Sequence, residues 1–281
     1  MVSNVGIIGQ GFVGGSINEF FKEKITTFTF DLNGNCNCDS LDDVVNKSDI
    51  VFVCLPTPMF QDGSCDLSIV KSTIKKIKEI NSDQIIIIKS TVVPGTVQSL
   101  IDVYDENIIF NPEFLTEANA VDDFRNQDRI IIGGYGLAQS KCVEFFAKFF
   151  PKSKIITSTP TEAELVKYVT NTFLTTKVAY ANEIYDICKH LNIDYDNLIK
   201  LATLDERLGL SHWSVPGPDG RRGFGGSCFP KDINALLHFA KVNNLLTPVL
   251  ESVWQRNINI DRTEQDWKSL LGRAISNKDD V

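Results

Sequence analysis

Long apolar runs are missing from this 281-residue sequence: no segment approaches the ~20 residues that a helix needs to cross a bilayer. The opening Met-Val-Ser-Asn-Val-Gly carries no basic stretch ahead of its apolar run, so neither export nor membrane insertion is expected, and a cytoplasmic location is. Positive charge is also short. Lys and Arg total 28 against 36 Asp and Glu, a net charge of −8, which leaves no general attraction to phosphate backbones or anionic lipid and argues against a nucleic-acid partner. Histidine is scarce, with His190, His212 and His238 isolated from one another, and Cys36-Asn37-Cys38 has no second Cys or His pair nearby. No metal site is therefore expected, although His212 lies in a long loop from which a ligand is within reach. The 7 cysteines are odd in number and scattered, which suits reduced thiols better than a disulfide framework. What remains is the balance of a globular protein, 43% hydrophobic and 23% charged, long enough for one large domain or two modest ones.

The first half alternates short β-rich runs with helical patterns, the signature of a doubly wound α/β domain with a parallel sheet. Strands are expected at residues 5–8, 26–30, 50–54, 84–89, 107–110 and 129–132, with helices such as 67–80 and 137–149 between them. This domain spans residues 1–158. A different texture begins at Pro160: Thr161 followed by Glu164 fits a capping box, and no Pro or Gly interrupts residues 161–190. The pattern predicts one long helix of roughly 45 Å at ~1.5 Å per residue, the spine of a helical central domain over residues 159–255. Further helices are expected at 195–203, 231–242 and from 248 onward, with a Gly/Pro-rich loop at 209–227. Residues 256–281 are read as a C-terminal helix with a polar tail, frayed after Ser276. The long helix outgrows its domain and leaves Val169, Phe173, Tyr180 and Ile184 only partly covered, which predicts a homodimer paired along it. The competing arrangement folds the segment containing Trp254 and Trp267 back over the same face.

Residues 5–8 run into Gly9-Gln10-Gly11-Phe12-Val13-Gly14 and then an apolar helical pattern. A strand–GxGxxG–helix unit lets backbone approach a pyrophosphate at a helix N-terminus, so a dinucleotide site is expected rather than a mere tight turn. Asp31 ends the second strand about 20 residues on, where a carboxylate accepts hydrogen bonds from ribose hydroxyls and repels a 2′-phosphate. Residues 33–39 offer no Arg or Lys to such a phosphate, so the expected cofactor is NAD. Cys228 stands in Gly223-Phe224-Gly225-Gly226-Ser227-Cys228-Phe229-Pro230-Lys231-Asp232. Pro230 suits a helix start, which puts the thiol at a helix N-terminus beside Lys231, two influences that favour a thiolate. The alternative is a small buried hydrophobe. Glu164, Lys167 and Asn171 share one helix face, either turned to a reaction site or forming a solvated stripe.

Taken together, these residues resemble the UDP-glucose 6-dehydrogenases and their nucleotide-sugar dehydrogenase relatives. The matching segments run in family order: Leu55-Pro56-Thr57-Pro58, Lys89-Ser90-Thr91-Val92-Val93-Pro94-Gly95-Thr96, Asn111-Pro112-Glu113-Phe114-Leu115-Thr116-Glu117, Glu164-Leu165-Val166-Lys167 with Asn171, Asp205-Glu206-Arg207-Leu208-Gly209, and the stretch from Gly223 to Asp232. The resemblance implies a Rossmann-like NAD domain and four-electron oxidation of UDP-glucose to UDP-glucuronate with two NAD+. Cys228 would add to the C6 aldehyde, giving a thiohemiacetal that is oxidised to a thioester and hydrolysed. Lys167 and Asn171 are implied to assist deprotonation of the alcohol and steady the oxyanion, Asp232 to position or activate water, Glu113 to act as acid/base in hydrolysis, and Thr91 to serve both water and cofactor. Pro56, Thr57, Pro58, Glu117 and Lys231 are implied as cofactor contacts. Phe114, Leu115, Arg207, Gly223, Phe224 and Gly225, with Glu113, Lys167 and Asn171, are implied as substrate contacts. Family members pair through the equivalent long helix.

Two departures from the family pattern stand out. The usual member continues into a further α/β domain that helps bind the nucleotide half of the substrate, whereas this sequence stops at Val281. The loop from Gly209 to Arg222 is longer than in common UDP-glucose enzymes, and its Arg221 and Arg222 are either diphosphate contacts or solvated charges. Three rival readings follow: the same chemistry on UDP-N-acetylmannosamine or GDP-mannose, a non-catalytic NAD-binding remnant, and a two-electron β-hydroxyacid dehydrogenase, which has no use for Cys228.

Overall fold

The computed structural model describes residues 2–34, 36–116 and 119–277. The chain divides into two compact units, one formed by Met1–Thr57 with Asp66–Lys167 and the other by Pro58–Cys65 with Tyr168–Val281. In the first unit β1 (Asn4–Ile8), α1 (Phe12–Phe21), β2 (Thr26–Phe30), α2 (Leu41–Lys47), β3 (Ile50–Val53), α3 (Ser68–Ile80) and β4 (Ile85–Ile88) alternate. They are followed by α4 (Thr96–Val103), β5 (Ile108–Phe110), α5 (Ala120–Arg125), β6 (Arg129–Gly133), α6 (Gly136–Phe149) and β7 (Lys154–Ser158). The seven strands lie in the order β2-β1-β3-β4-β5-β6-β7. Every residue of β3 (Ile-Val-Phe-Val) and β4 (Ile-Ile-Ile-Ile) is buried, as a strand covered on both faces requires. On one face Phe20 stacks on Phe150 at 4.7 Å within a cluster that includes Phe21, Phe124, Phe145 and Phe146, and on the other Val70, Ile74 and Ile77 of α3 pack with Val97 and Leu100 of α4.

The sheet is not wholly parallel. β5 and β6 pair antiparallel through Phe110 and Gly133, and β7, which the sequence pattern does not reveal, adds in parallel to β6. β7 is an edge strand whose Ile155 and Ile156 are only half-buried, so its alternation is too weak to stand out. Chain order reverses direction around β1, which has β2 on one side and β3 on the other, and the crevice outside such a switch point is where α/β sheets bind ligands.

The long helix α7 runs from Pro160 to Leu191, 32 residues or about 48 Å at ~1.5 Å each. Its capping box differs from the expected one: Thr159 and Glu162 exchange the reciprocal bonds, Thr159 N donating to Glu162 Oε2 (2.9 Å) and Glu162 N to Thr159 Oγ1 (3.3 Å). Glu164 is instead fully buried and accepts Gly95 N (2.6 Å) and Val97 N (2.7 Å), so it caps α4. Burial pushes its carboxyl up to about 7 against the pull of those two N–H groups. Since the folded pKa lies above the ordinary value near 4.5, the stability that Glu164 contributes is full below that value and is lost as pH rises through about 7. Glu164→Gln, which turns an NH2 toward a backbone donor, is expected to cost about 1–3 kcal/mol in urea unfolding at pH 6 and to lack the wild-type decline between pH 5 and 8.

In the second unit the remainder of α7 is followed by α8 (Tyr195–Ala202), a 3-10 turn (Glu206–Leu208), α9 (Phe229–Val242) and α10 (Pro248–Arg256). The expected C-terminal helix stops early: α10 ends in a π turn, Asn257–Asp261, and a 3-10 turn, Asp266–Ser269. Ser276 donates its N–H to Met59 O (2.8 Å) while Met59 N bonds Ala274 O (2.8 Å), and the tail beyond it that was expected to fray lies, from residue 278, outside the described residues. Trp254 and Trp267 meet at 5.4 Å and pack with Met59, so they do not cover the α7 face. Val169, Phe173 and Tyr180 are 56%, 66% and 52% exposed, whereas Ile184 joins a cluster with Tyr195 and Trp213.

Candidate active site

The glycine loop follows from the tight turn between β1 and α1. Gly9 has φ +89°, and a Cβ there would lie 2.4 Å from Cys54 O; a Cβ on Gly14 would lie 1.8 Å from Gly9 O, so any larger residue breaks the turn. Gly11, the helix N-cap, has open space where its Cβ would be, which leaves α1's free N–H groups approachable by a pyrophosphate. Asp31 Oδ2 accepts Gln10 N (2.6 Å) and Oδ1 accepts Asn33 N (2.7 Å), so the carboxylate braces the loop and keeps further lone pairs for ribose hydroxyls. These features fit a bound NAD: Gly9, Gln10, Gly11, Phe12, Val13 and Gly14 for the pyrophosphate, Asp31 for the ribose.

A second cluster of the first unit lies at the ends of β3, β4 and β5. Thr57 Oγ1 donates to Thr91 O (2.7 Å), and Ser90 Oγ accepts Leu55 N (2.8 Å), which ties the segment after β3 to the one after β4. Glu113 is buried; one carboxylate oxygen accepts Leu115 N and the other accepts Lys167 Nζ at 3.4 Å. The Lys167 ammonium also faces the Phe114 ring at 5.7 Å. Lys167 is therefore no solvated stripe residue, being 5% exposed and paired with a carboxylate. Cys54 beside this cluster is pushed up to about 12 by burial, an inert thiol. Glu117 lies outside the described residues.

In the second unit Cys228 is the N-cap of α9 and is half-buried, with Ser227 Oγ 3.8 Å from its sulfur. Phe229 opens the helix and Pro230 is the next residue, so the thiol sits where the unpaired N–H groups of the first turn favour negative charge. Asp232, almost fully buried, accepts Lys231 Nζ on one oxygen (2.5 Å) and Asn171 Nδ2 on the other (2.5 Å). Burial lowers Lys231, but Asp232 and the neighbouring Cys228 and Cys65 sulfurs outweigh it and hold the ammonium above its ordinary range. A fixed cation thus stands beside the thiol. Lys167 and Asn171, four residues apart on α7, share a face of one continuous helix.

The remaining residues implied as contacts fall in varied places. Pro56 is exposed, and Pro58 is buried in the second unit. Arg207 is exposed on the 3-10 turn and is clamped by Asp205 (2.5 Å). Phe224 is buried against Trp254 and Phe229, and both its backbone polar groups are taken by Asn257, whose Oδ1 accepts Phe224 N and whose Nδ2 donates to Phe224 O, each at 2.9 Å. Gly223 and Gly225 flank it. Arg222 is neither a free phosphate ligand nor a solvated charge: it donates to Asn182 Oδ1 (3.0 Å), Asp186 (2.8 Å) and Asp261 (2.9 Å). Arg221 is exposed and reaches Glu264 at 3.5 Å. Asn257 and the buried Arg262, which bridges Asp219 and Asp266, carry the loop and escape a reading of the sequence because their loop partners Phe224 and Asp219 lie 33 and 43 positions away. His212 is lowered by burial and by Lys177, and no cluster of three metal-ligating residues occurs among the described residues.

Family models match this architecture over most of the chain. The UDP-glucose/GDP-mannose dehydrogenase family, NAD binding domain, matches residues 31–150, and the central domain of the same family matches residues 161–259. The chain belongs to that family. It is 38% identical over 224 residues to a UDP-glucose 6-dehydrogenase of Rickettsia bellii, covering 76% of this chain and 50% of the relative. To one of Bacillus subtilis it is 34% identical over 246 residues, covering 83% and 52%. The chain spans about half the length of the curated relatives it matches. Among solved structures, a UDP-glucose dehydrogenase from Pyrobaculum islandicum superposes with a TM-score of 0.82 at 26% identity, over 92% of this chain and 68% of that one. The first unit is thus an NAD-binding domain of this family.

Proposed function

We propose that this chain oxidises the C6 alcohol of a nucleotide sugar, UDP-glucose first among them, to the carboxylate. The observation that carries the reading is Cys228 at the N-terminus of α9 beside Lys231, with Asp232 and Asn171 bonded to one another nearby in the same unit. A two-electron alcohol dehydrogenase needs no nucleophile; an oxidation that passes the aldehyde does. When bound, NAD+ accepts a hydride in each of two oxidations. Lys167 and Asn171 assist deprotonation of the alcohol, whose proton passes to water, by donating hydrogen bonds that steady the developing oxyanion, a role suited to a cation and an amide donor on one helix face. The Cys228 thiolate adds to the aldehyde carbon, its electron pair forming the C–S bond while the carbonyl oxygen gains a proton. Loss of hydride and proton from this thiohemiacetal leaves a thioester. Water, its proton taken by Glu113 with Asp232 ordering the donors around it, adds to the acyl carbon; the C–S bond breaks and the thiol is restored.

The test follows NADH production by the purified protein across UDP-glucose, UDP-N-acetylmannosamine and GDP-mannose while counting NADH per product. Two NADH per acid support the reading. One NADH per product points to a two-electron dehydrogenase, and none to a binding role.

The assembly we propose is a homodimer along α7. Val169, Phe173, Tyr180, Ile187 and Leu191 recur at four- and seven-residue spacing on that helix and are each more than half exposed, an apolar stripe that a second copy's stripe would bury. Sedimentation equilibrium at micromolar concentration is expected to give twice the chain mass, and Phe173→Glu to return one chain mass. A monomeric wild type would remove the dimer.

A further inference from the structure

The mechanism gives the buried charge of Lys89 no task. Lys89 follows β4 and is 4% exposed; its Nζ donates to Asn111 Oδ1 at 2.9 Å and to Pro112 O at 3.3 Å, both in the segment that follows β5 and leads directly into Glu113. Asn111 is itself stitched across the strand ends, its N–H bonding Ile88 O (3.0 Å) and its Nδ2 donating to Ile131 O (2.7 Å). The segment before Glu113 is thus held from β4, β5 and β6 at once. We infer that Lys89 is a positioning residue for Glu113, fixing Asn111 Oδ1 and the Pro112 carbonyl so that the carboxylate stays presented to Lys167 in the geometry its proposed acid/base role requires.

The bland alternative is a buried stitch that merely holds two strand ends together. A neutral donor would serve that purpose, whereas an ammonium in this position must be stripped of water. Burial brings Lys89 down to about 8; the Glu113 carboxylate and the Cys54 sulfur oppose this, and Lys167 adds to it. Lys89 is thus electrostatically coupled to both members of the Glu113–Lys167 pair.

The experiment rests on the oxidation and hydrolysis proposed above. Lys89→Met keeps the volume of the site and removes the charge and both donors; Asn111→Ala removes one of the acceptors and leaves Lys89 in place. If Lys89 acts through Glu113, both variants slow hydrolysis of the thioester selectively. Lys89→Met is expected to lower kcat by about 10–100-fold with KM for the sugar nucleotide within about twofold. It should release a burst of two NADH per site and accumulate a sugar acyl adduct on Cys228, seen by intact-mass spectrometry after acid quench. Asn111→Ala should show the same pattern more weakly. Unchanged kcat, or a first hydride transfer slowed as much as hydrolysis with no adduct, would overturn the assignment. A readout independent of turnover accompanies this: amide exchange of residues 111–116 should quicken in Lys89→Met. If the wild-type protein oxidises no nucleotide sugar, the activity falls and this exchange comparison alone decides, unchanged protection counting against the positioning role.

Discussion

Replacing Cys228 by serine is expected to lower carboxylate formation by on the order of 10⁴-fold, because loss of an attacking nucleophile removes the covalent route altogether rather than weakening one contact. A hydroxyl in this position keeps the N-cap site of α9 and the neighbouring Lys231–Asp232 pair, so the fold should stand. It does not share the thiol's readiness to ionise beside a fixed ammonium at a helix N-terminus. Affinity for NAD should change by less than about twofold, since the glycine loop between β1 and α1 belongs to the other compact unit. The variant should stall at the aldehyde level, with at most one NADH released per sugar. Stopped-flow absorbance with product analysis makes the distinction, and near-normal acid output from Cys228→Ser would eliminate the covalent mechanism.

The second large effect concerns cofactor choice. Asp31 follows β2, and its two oxygens take Gln10 N and Asn33 N, one each, which leaves further lone pairs on both. Hydrogen bonds to an ionised acceptor are worth about 1.5–3 kcal/mol each, and a 2′-phosphate facing the same carboxylate costs several kcal/mol. NAD should accordingly be preferred over NADP by about 10³-fold in kcat/KM. Asp31→Ser should lower that preference by about 10²-fold, with a small loss of stability from the freed Gln10 N–H. Kinetics with both cofactors, backed by thermal unfolding of the variant, test it. An unchanged preference would show that the discrimination lies elsewhere.

Much of the first unit was legible because its signals are local. Apolar runs such as Ile85–Ile88 can hardly be anything but buried strands, and the spacing of Gly9, Gly11 and Gly14 states a backbone need that holds before any tertiary contact forms. The antiparallel placing of β6 and the edge strand β7 were not legible, since strand direction and edge position depend on which neighbours are already in the sheet. The capping box shows the same limit at the scale of single residues. Thr161 and Glu164 have the right spacing, yet Thr159 and Glu162 take the cap, because Glu164 is claimed by Gly95 and Val97 from α4.

The candidate site divides along the same line. Cys228, two residues before Pro230 at an expected helix start, stands out through helix geometry, whereas the spacing of Lys167 and Asn171 leaves a site face and a solvated stripe both open and only the family resemblance favours the first. The pairings do not stand out: Asp232 with Asn171, Glu113 with Lys167, and Lys89 with Asn111 are 61, 54 and 22 positions apart. By itself the sequence determined the α/β class, the glycine loop and the long helix, because each rests on backbone preference or on a periodicity read within one element. Only the tertiary structure decided which carboxylate meets which cation, that Arg222 is consumed by Asp186 and Asp261, and that Asn257 holds Phe224. Those outcomes depend on desolvation: a buried charge or amide must find a partner wherever the fold brings one within about 3 Å, and chain separation has no bearing on that distance.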